Sequence, residues 1–122
     1  MNAEQIIEGL RQFTGTSAYY RLNSKTVLTD GTKFLAENAQ CFWLMEAIAS
    51  HLSAVPTDEY FCIALLTKGK EHAAYLEIVD DVPQTKYYAT QVIEYTDFPL
   101  ESVKLYCSRA EEFWVLMIPQ EY

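Results

Sequence analysis

The chain is poor in basic residues, in glycine and in proline. Nine Lys and Arg stand against 17 Asp and Glu among its 122 residues, so the formal net charge is -8. Such a surface repels phosphate backbones and attracts basic proteins. We therefore expect no direct nucleic-acid binding, and a basic protein partner is one hypothesis. With four Gly and four Pro, the chain is not a glycine-rich or proline-rich low-complexity sequence.

Long apolar runs and paired cysteines are also missing. No stretch approaches the roughly 20 apolar residues that cross a bilayer, and Met1-Asn2-Ala3-Glu4 lacks the basic start of a secretion signal. We expect a cytoplasmic protein with no membrane partner. The cysteines Cys41, Cys62 and Cys107 are odd in number and form no C-x-x-C pair, which predicts buried free thiols, no metal site and no cofactor.

The composition favours one compact unit with an excess of aromatic residues. Half of the residues are hydrophobic, and Tyr and Phe number nine and six. A chain of this length is typical of a single domain, which we place at residues 1–122. The aromatic residues exceed what one core needs, so we expect some of them on the surface.

Helical periodicity is confined to the first half of the chain. Asn2 is placed to cap an N-terminal helix that carries Ile6 and Leu10 on one stripe. Asp30 is predicted to cap a central helical segment, residues 31–52, that is apolar around nearly its whole circumference, so we expect the rest of the chain to surround it. Asn38 either caps a second helix or interrupts the first, and this segment is one kinked helix or two.

Extended periodicity follows Asp58. Five strands are predicted at residues 60–67, 73–79, 86–95, 103–107 and 113–118, and short pieces at 18–22 and 25–28 favour a small hairpin. Because the connections are short, we expect an antiparallel meander. The predicted class is α+β: an N-terminal helix and short hairpin, the central apolar helical segment, and a sheet of about five strands with the helices on one face.

Several short motifs resemble a bacterial domain family of unknown function. They are Phe13-Thr14-Gly15-Thr16, Tyr19-Tyr20-Arg21, Leu28-Thr29-Asp30-Gly31, Lys33-Phe34-Leu35-Ala36-Glu37, Trp43-Leu44, Ala47-Ile48-Ala49-Ser50, Tyr95-Thr96-Asp97-Phe98-Pro99 and Ile118-Pro119-Gln120-Glu121-Tyr122. The resemblance spans nearly the whole chain. It implies a small single-domain protein of bacterial cytoplasmic origin, and it implies no activity and no residue role.

One candidate ligand site lies near the start of the central helix, where free backbone N–H groups favour an anion. The candidate residues are Tyr20, Arg21, Asp30, Lys33 and His51. Capping explains Asp30 without a ligand, and the end of a helix favours a protonated His51 without catalysis. No nucleophile is paired with a base in the sequence. An enzyme or small-ligand-binding protein is therefore an alternative rather than the leading hypothesis.

The leading hypothesis is a non-enzymatic protein-binding or homo-oligomeric module, with a homodimer expected. It rests on aromatic residues of the second half, which serve either an interface or the packing of the sheet: Tyr87, Tyr88, Tyr95, Tyr106 and Trp114. A further alternative is an acidic decoy or inhibitor of a nucleic-acid-handling protein. That hypothesis uses the acidic pairs Asp80-Asp81 and Glu111-Glu112, which we expect on a solvated face.

Overall fold

A computed structural model describes residues 1–122 as three helices and a seven-stranded, mostly antiparallel sheet. The helices are α1 (Ala3–Leu10), α2 (Asp30–Asn38) and α3 (Phe42–His51), and the strands are β1 (Tyr20–Asn23), β2 (Thr26–Leu28), β3 (Phe61–Lys68), β4 (Ala74–Val79), β5 (Tyr87–Ile93), β6 (Ser102–Ala110) and β7 (Phe113–Met117). Single 3₁₀ turns follow α3 and β7. The α+β class is confirmed. None of the helices is long and apolar enough to cross a membrane.

The strand order in the sheet is β1-β2-β7-β6-β3-β4-β5. The predicted meander is confirmed for β3, β4 and β5 and for the antiparallel pair β6 and β7, but β6 does not pair with β5. The segment between β5 and β6 passes the ends of β4 and β3 and returns the chain to the far side of β3, which is the order of a Greek key. The predicted hairpin is present but not separate, because β2 pairs in parallel with β7 through Val27 and Val115. The sheet therefore has seven strands instead of about five.

The central helical segment is two helices. Between them Gln40 has a φ of 52°, in the left-handed region that ends a helix. Asn38 is the last residue of α2, so it neither caps α3 nor bends a continuous helix. Its Nδ2 donates to the carbonyl oxygen of Phe34 at 2.8 Å. Residue Cys41 occupies the cap position of α3 without a side-chain hydrogen bond.

The helices cover one face of the sheet, and the core lies between these layers. In α3 the side chains of Leu44, Met45 and Ile48 are buried, whereas Phe42 is 45% exposed. The expectation that the chain surrounds this helix is therefore wrong. Only one side of α3 packs against the sheet, although its composition is apolar on both sides.

The N-terminal helix begins as predicted. The side chain of Asn2 accepts the backbone N–H of Gln5 at 2.9 Å, and the side chain of Gln5 accepts that of Asn2 at 3.0 Å. This capping box satisfies two of the free N–H groups at the helix start. Ile6 and Leu10 are buried in the core cluster.

Candidate interaction surface

The first turn of α2 is capped by Thr29 and not by Asp30, which corrects the predicted role of Asp30. Thr29 is extended, and its Oγ1 accepts the backbone N–H of Thr32 at 3.3 Å. Asp30 is the first helical residue. Its carboxylate accepts the backbone N–H of Ser17 at 2.8 Å, and this bond holds the pKa of Asp30 below its usual range. Asp30 thus ties the loop before β1 to α2.

The N–H of Gly31, at the start of α2, donates to Glu121 from the turn after β7. One carboxylate oxygen accepts the N–H of Gly31 at 2.9 Å, and the other accepts the hydroxyl of Thr29 at 2.5 Å and the N–H of Ile118 at 3.1 Å. A Cβ at Gly31 would lie 2.6 Å from Cδ1 of Ile118, so glycine permits this close approach. The helix N-terminus therefore holds an anion that belongs to the chain itself.

Tyr20 and Lys33 lie beside Asp30, and Arg21 points away from them. The Lys33 ammonium is 4.6 Å from the centre of the Tyr20 ring and 3.4 Å from a carboxylate oxygen of Glu37. A hydrogen bond with Asp30 raises the pKa of Tyr20. Arg21 donates to the carbonyl oxygens of Asn23 and Ser24. Neighbouring residues of a strand face opposite sides, which explains why Tyr20 and Arg21 separate.

His51 is remote from these residues. Its Nε2 lies 2.6 Å from Oε1 of Gln91 in β5. Because β1 and β5 are the two edges of the sheet, six strand spacings, roughly 29 Å, separate Gln91 from the strand of Tyr20. The five residues of the candidate ligand site are therefore not brought together.

The five aromatic residues of the predicted interface lie in different places. Trp114 is 8% exposed and belongs to the core, with the Arg109 guanidinium 4.4 Å above its ring. Tyr88 packs against the core, and burial raises the pKa of its hydroxyl, which has no hydrogen-bond partner. Tyr106 lies on the sheet face away from the helices. Tyr87 begins β5 and Tyr95 lies two residues after its end, and both are exposed. They form no single patch.

All three cysteines are buried free thiols, as predicted. Burial raises the pKa of Cys41 to about 12, so this thiol stays neutral near pH 7. Cys62 and Cys107 face each other on β3 and β6, and their mutual hydrogen bond together with burial raises the pKa of Cys107. The raised pKa values of Cys41 and Cys107 disfavour the thiolate form of both side chains. No group of three His, Cys, Asp or Glu side chains is close enough to hold a metal ion.

Asp80 is part of the turn between β4 and β5 and is not a solvated acidic residue, which corrects the expectation for this position. Its carboxylate accepts the backbone N–H groups of Thr85 and Lys86, both at 2.9 Å, and the Thr85 hydroxyl. The Thr85 hydroxyl and the Lys86 N–H hold the pKa of Asp80 well below its usual range. Asp80 therefore fixes the backbone where β5 begins.

We expect Asp80→Ala to destabilise the fold at neutral pH and to lose this effect in acid. The folded-state pKa of Asp80 is depressed, so the carboxylate stabilises the fold above its unfolded pKa of about 4. That contribution disappears as the pH falls through the folded-state value. Urea unfolding of both proteins between pH 7 and pH 2 measures the difference. The exposed Glu112, changed to Ala, is the control and should change little at any pH.

A groove of about 970 Å³ opens between the β1–β2 turn, the β6–β7 turn and the end of α3. Its charged side chains are Lys25, Arg109, Glu111 and Glu112, two of each sign. Arg109 is already bonded to the carbonyl oxygen of Thr57 at 3.0 Å. None of Tyr20, Arg21, Asp30, Lys33 and His51 lines this groove, so it offers no support for the candidate ligand site.

The two edges of the sheet differ sharply. β1 has four residues and includes the charged Arg21. β5 has seven residues, Tyr-Tyr-Ala-Thr-Gln-Val-Ile, without a charge or a proline. Charges, proline and short length are the devices by which proteins protect a free edge from pairing. A bulge at Tyr88, which is an extra residue of β5 without a partner in β4, protects only the N-terminal end of β5. Residues 89–93 form a regular, unprotected edge.

The sheet face away from the helices, here called the open face, is partly apolar. Its aromatic cluster consists of Phe61, Tyr106 and Tyr122, whose ring centres lie 5.2–5.3 Å apart. Ile63, in the middle of β3, is 3% exposed on this face. Thr90 and Val92 of β5 also lie on this face, opposite Glu77 and Tyr75 of β4. The open face therefore meets the free edge at β5.

A family model matches residues 4–122 and carries the description family of unknown function, DUF6876. The chain belongs to this family. The match confirms the predicted membership of a family of unknown function and covers nearly the whole chain. No curated protein and no solved structure matches the chain. The DUF6876 description names no activity and no partner.

Proposed function

We propose that this protein is a non-enzymatic protein-binding module that assembles with a second copy of itself through the β5 edge. The observation that carries the proposal is the uncharged, seven-residue outer edge of β5. An edge strand presents backbone N–H and C=O groups that another strand can pair with. A second copy supplies the same edge, so one surface serves both partners in a two-fold arrangement.

The rest of the molecule is consistent with assembly. It gives less support to a catalytic role, because the candidate catalytic groups are neutral, already bonded or far apart. The thiol of Cys41 is neutral near pH 7, and the carboxylate of Glu121 occupies the N-terminus of α2. His51 lies at the opposite edge of the sheet from Tyr20 and Asp30. The open face continues up to β5, so pairing of two β5 edges would join two open faces into one larger surface.

The test is the mass of the particle in solution. Light scattering after size exclusion should give a value that rises with concentration toward twice the 14.0 kDa of one chain. Thr90→Lys, at the midpoint of β5, should keep the particle at the mass of one chain, because a charge in the pairing edge opposes strand addition. A wild-type protein that stays at the mass of one chain at high micromolar concentration would contradict the proposal.

Thr67→Lys is the matched control. Thr67 is exposed on the same sheet face as Thr90 but belongs to β3, an interior strand. The same substitution there leaves the β5 edge free, so self-association should persist. If Thr67→Lys abolished association and Thr90→Lys did not, the copies would be stacking their open faces, and pairing through the edge would be wrong.

A further inference from the structure

A depression of about 510 Å³ lies on the open face beside the β5 edge. The side chains of that face which line it come from three neighbouring strands: Thr67 of β3, Tyr75 and Glu77 of β4, and Thr90 and Val92 of β5. Strand pairing sets Thr67, Tyr75 and Val92 in one row across the sheet. Glu77 and Thr90 belong to the next row of the same face. One carboxylate, one aromatic ring and two hydroxyl groups therefore surround the same space.

Glu77 is a half-buried carboxylate without a cationic partner. None of the three ion pairs of the chain includes it. Its cross-strand neighbours are the uncharged Thr90 and Leu65. Lys104 lies one strand further along the same row, with its ammonium 5.7 Å from the centre of the Tyr106 ring. An opposite charge across the strands would stabilise this carboxylate, and the chain supplies none there, so Glu77 is free to bind a cation from outside.

Tyr75 forms a wall of the depression. A Cβ on Gly69 would lie 2.6 Å from the Tyr75 ring, so the ring rests against the backbone of this glycine. The side chain is still 47% exposed, which leaves part of the ring open to a ligand. Tyr75 and Glu77 are two residues apart on one strand, so their Cα atoms are about 6.6 Å apart on the same face. A long side chain with a planar, charged tip can contact both.

We propose that this depression binds an arginine side chain of a partner protein. A carboxylate accepts two parallel N–H bonds from a guanidinium, and the Tyr75 ring attracts the same cation. The hydroxyls of Thr67 and Thr90 are acceptors for the remaining N–H groups. Val92 offers an apolar contact to the methylene stem. Lysine presents a point charge without a plane or a fork of donors, so it fits this set of groups less well.

The surroundings of the depression favour a protein over a free small molecule. Small-molecule sites enclose most of their ligand, whereas this depression opens onto the sheet face. The net charge of -8 attracts a basic protein at long range. The site also lies apart from the outer backbone groups of β5, which point along the plane of the sheet. The inference therefore does not depend on self-association, and pairing through β5 would leave both depressions accessible on one continuous open face.

Matched peptides test the choice of ligand. The probe is the blocked peptide Thr-Val-Arg-Val-Thr, titrated into isotope-labelled protein and followed by the amide resonances of Tyr75, Glu77 and Thr90. A second peptide carries citrulline, which has nearly the shape of arginine without its charge. The arginine peptide should bind at least about tenfold more tightly, because its hydrogen bonds to Glu77 are charge-assisted. Equal dissociation constants for the two peptides would overturn the inference.

Substitutions test the site itself. Glu77→Gln should weaken binding of the arginine peptide about tenfold and leave the citrulline peptide unaffected. Glu112→Gln removes the same charge from the exposed β6–β7 turn and is the matched control, with little expected effect. Tyr75→Leu should weaken the arginine peptide about 2–5-fold through loss of the cation–π contact. Equal losses in Glu77→Gln and Glu112→Gln would mean that overall charge attracts the peptide, and the site would be wrong.

The remaining outcomes separate this inference from the proposed self-association. A protein that keeps the mass of one chain and still distinguishes arginine from citrulline contradicts only the self-association. A dimer that binds both peptides equally contradicts only the arginine site. Blocked arginine amide that binds as tightly as the arginine peptide would make the ligand a free small cation and overturn the choice of a partner protein. Far-ultraviolet circular dichroism of each variant checks that the fold is unchanged.

Discussion

Trp114→Ala is expected to lower the free energy of unfolding by about 3–5 kcal/mol, the usual cost of truncating a buried aromatic side chain. Trp114 is 8% exposed and belongs to the core cluster. It also lies at the junction of the sheet, since β7 pairs with β2 on one side and β6 on the other. Truncation removes transfer free energy and leaves a cavity between the sheet and the helices.

Denaturant unfolding at one fixed protein concentration measures this loss, because self-association would shift apparent stability with concentration. Tyr60→Ala is the matched control: Tyr60 is 63% exposed, and its truncation should change stability by no more than about 0.5 kcal/mol. A loss below about 1 kcal/mol for Trp114→Ala would show that the side chain serves a contact with a partner instead of the core.

Glu121→Ala is expected to cost about 1.5–3 kcal/mol, the range for hydrogen bonds to a charged group. The substitution removes the acceptor for the N–H groups of Gly31 and Ile118 and for the hydroxyl of Thr29. It also removes a negative charge from the positive end of the α2 dipole. The turn after β7 and the start of α2 are joined by these bonds, so both should loosen together.

Glu121→Gln should recover part of this loss, because the amide keeps one acceptor oxygen and loses the charge. Gln120→Ala, at the exposed neighbouring position, should have almost no effect. Thermal unfolding of the three variants gives the comparison. Equal stability of Glu121→Ala and Gln120→Ala would mean that the carboxylate of Glu121 contributes nothing to the start of α2.

Strand positions were the most predictable part of the fold. A continuous apolar run predicted the strand at 60–67, and two-faced alternation predicted strands such as 73–79 and 103–107, since a half-buried strand imposes a period of two on its own sequence. The pairing of β2 with β7 left no such mark. It joins segments 88 residues apart, as in the pair Val27 and Val115, and the bonds of a strand's outer edge do not depend on which side chains it carries.

The helix boundaries show a second limit. The break between α2 and α3 contains Gln40 in the left-handed region, where glycine or asparagine is the usual signal. The sequence indicated a break at Asn38, two residues before the left-handed residue Gln40. The cap of α2 was placed one residue late for a related reason, since Thr29 and Asp30 are both good caps, and only the contact of Asp30 with Ser17 separates their roles.

The candidate site was predictable only in its local part. Tyr20, Asp30 and Lys33 do lie together, because β1 and α2 are close along the chain. The distance of His51 from them depends on the strand order, which the local sequence does not encode. Glu121 was missed for the same reason, since 90 residues separate it from Gly31.

The central claim is that β5 is the pairing edge, and amide hydrogen exchange across protein concentration tests it most directly. Alternate N–H groups of β5 point away from β4. Within residues 89–93, the exchange of these outward N–H groups should slow as the protein concentration rises. The exchange of β1 (Tyr20–Asn23), the other edge, should stay constant. Exchange in β5 that is independent of concentration, in a sample whose mass shows it to be a dimer, would contradict the account.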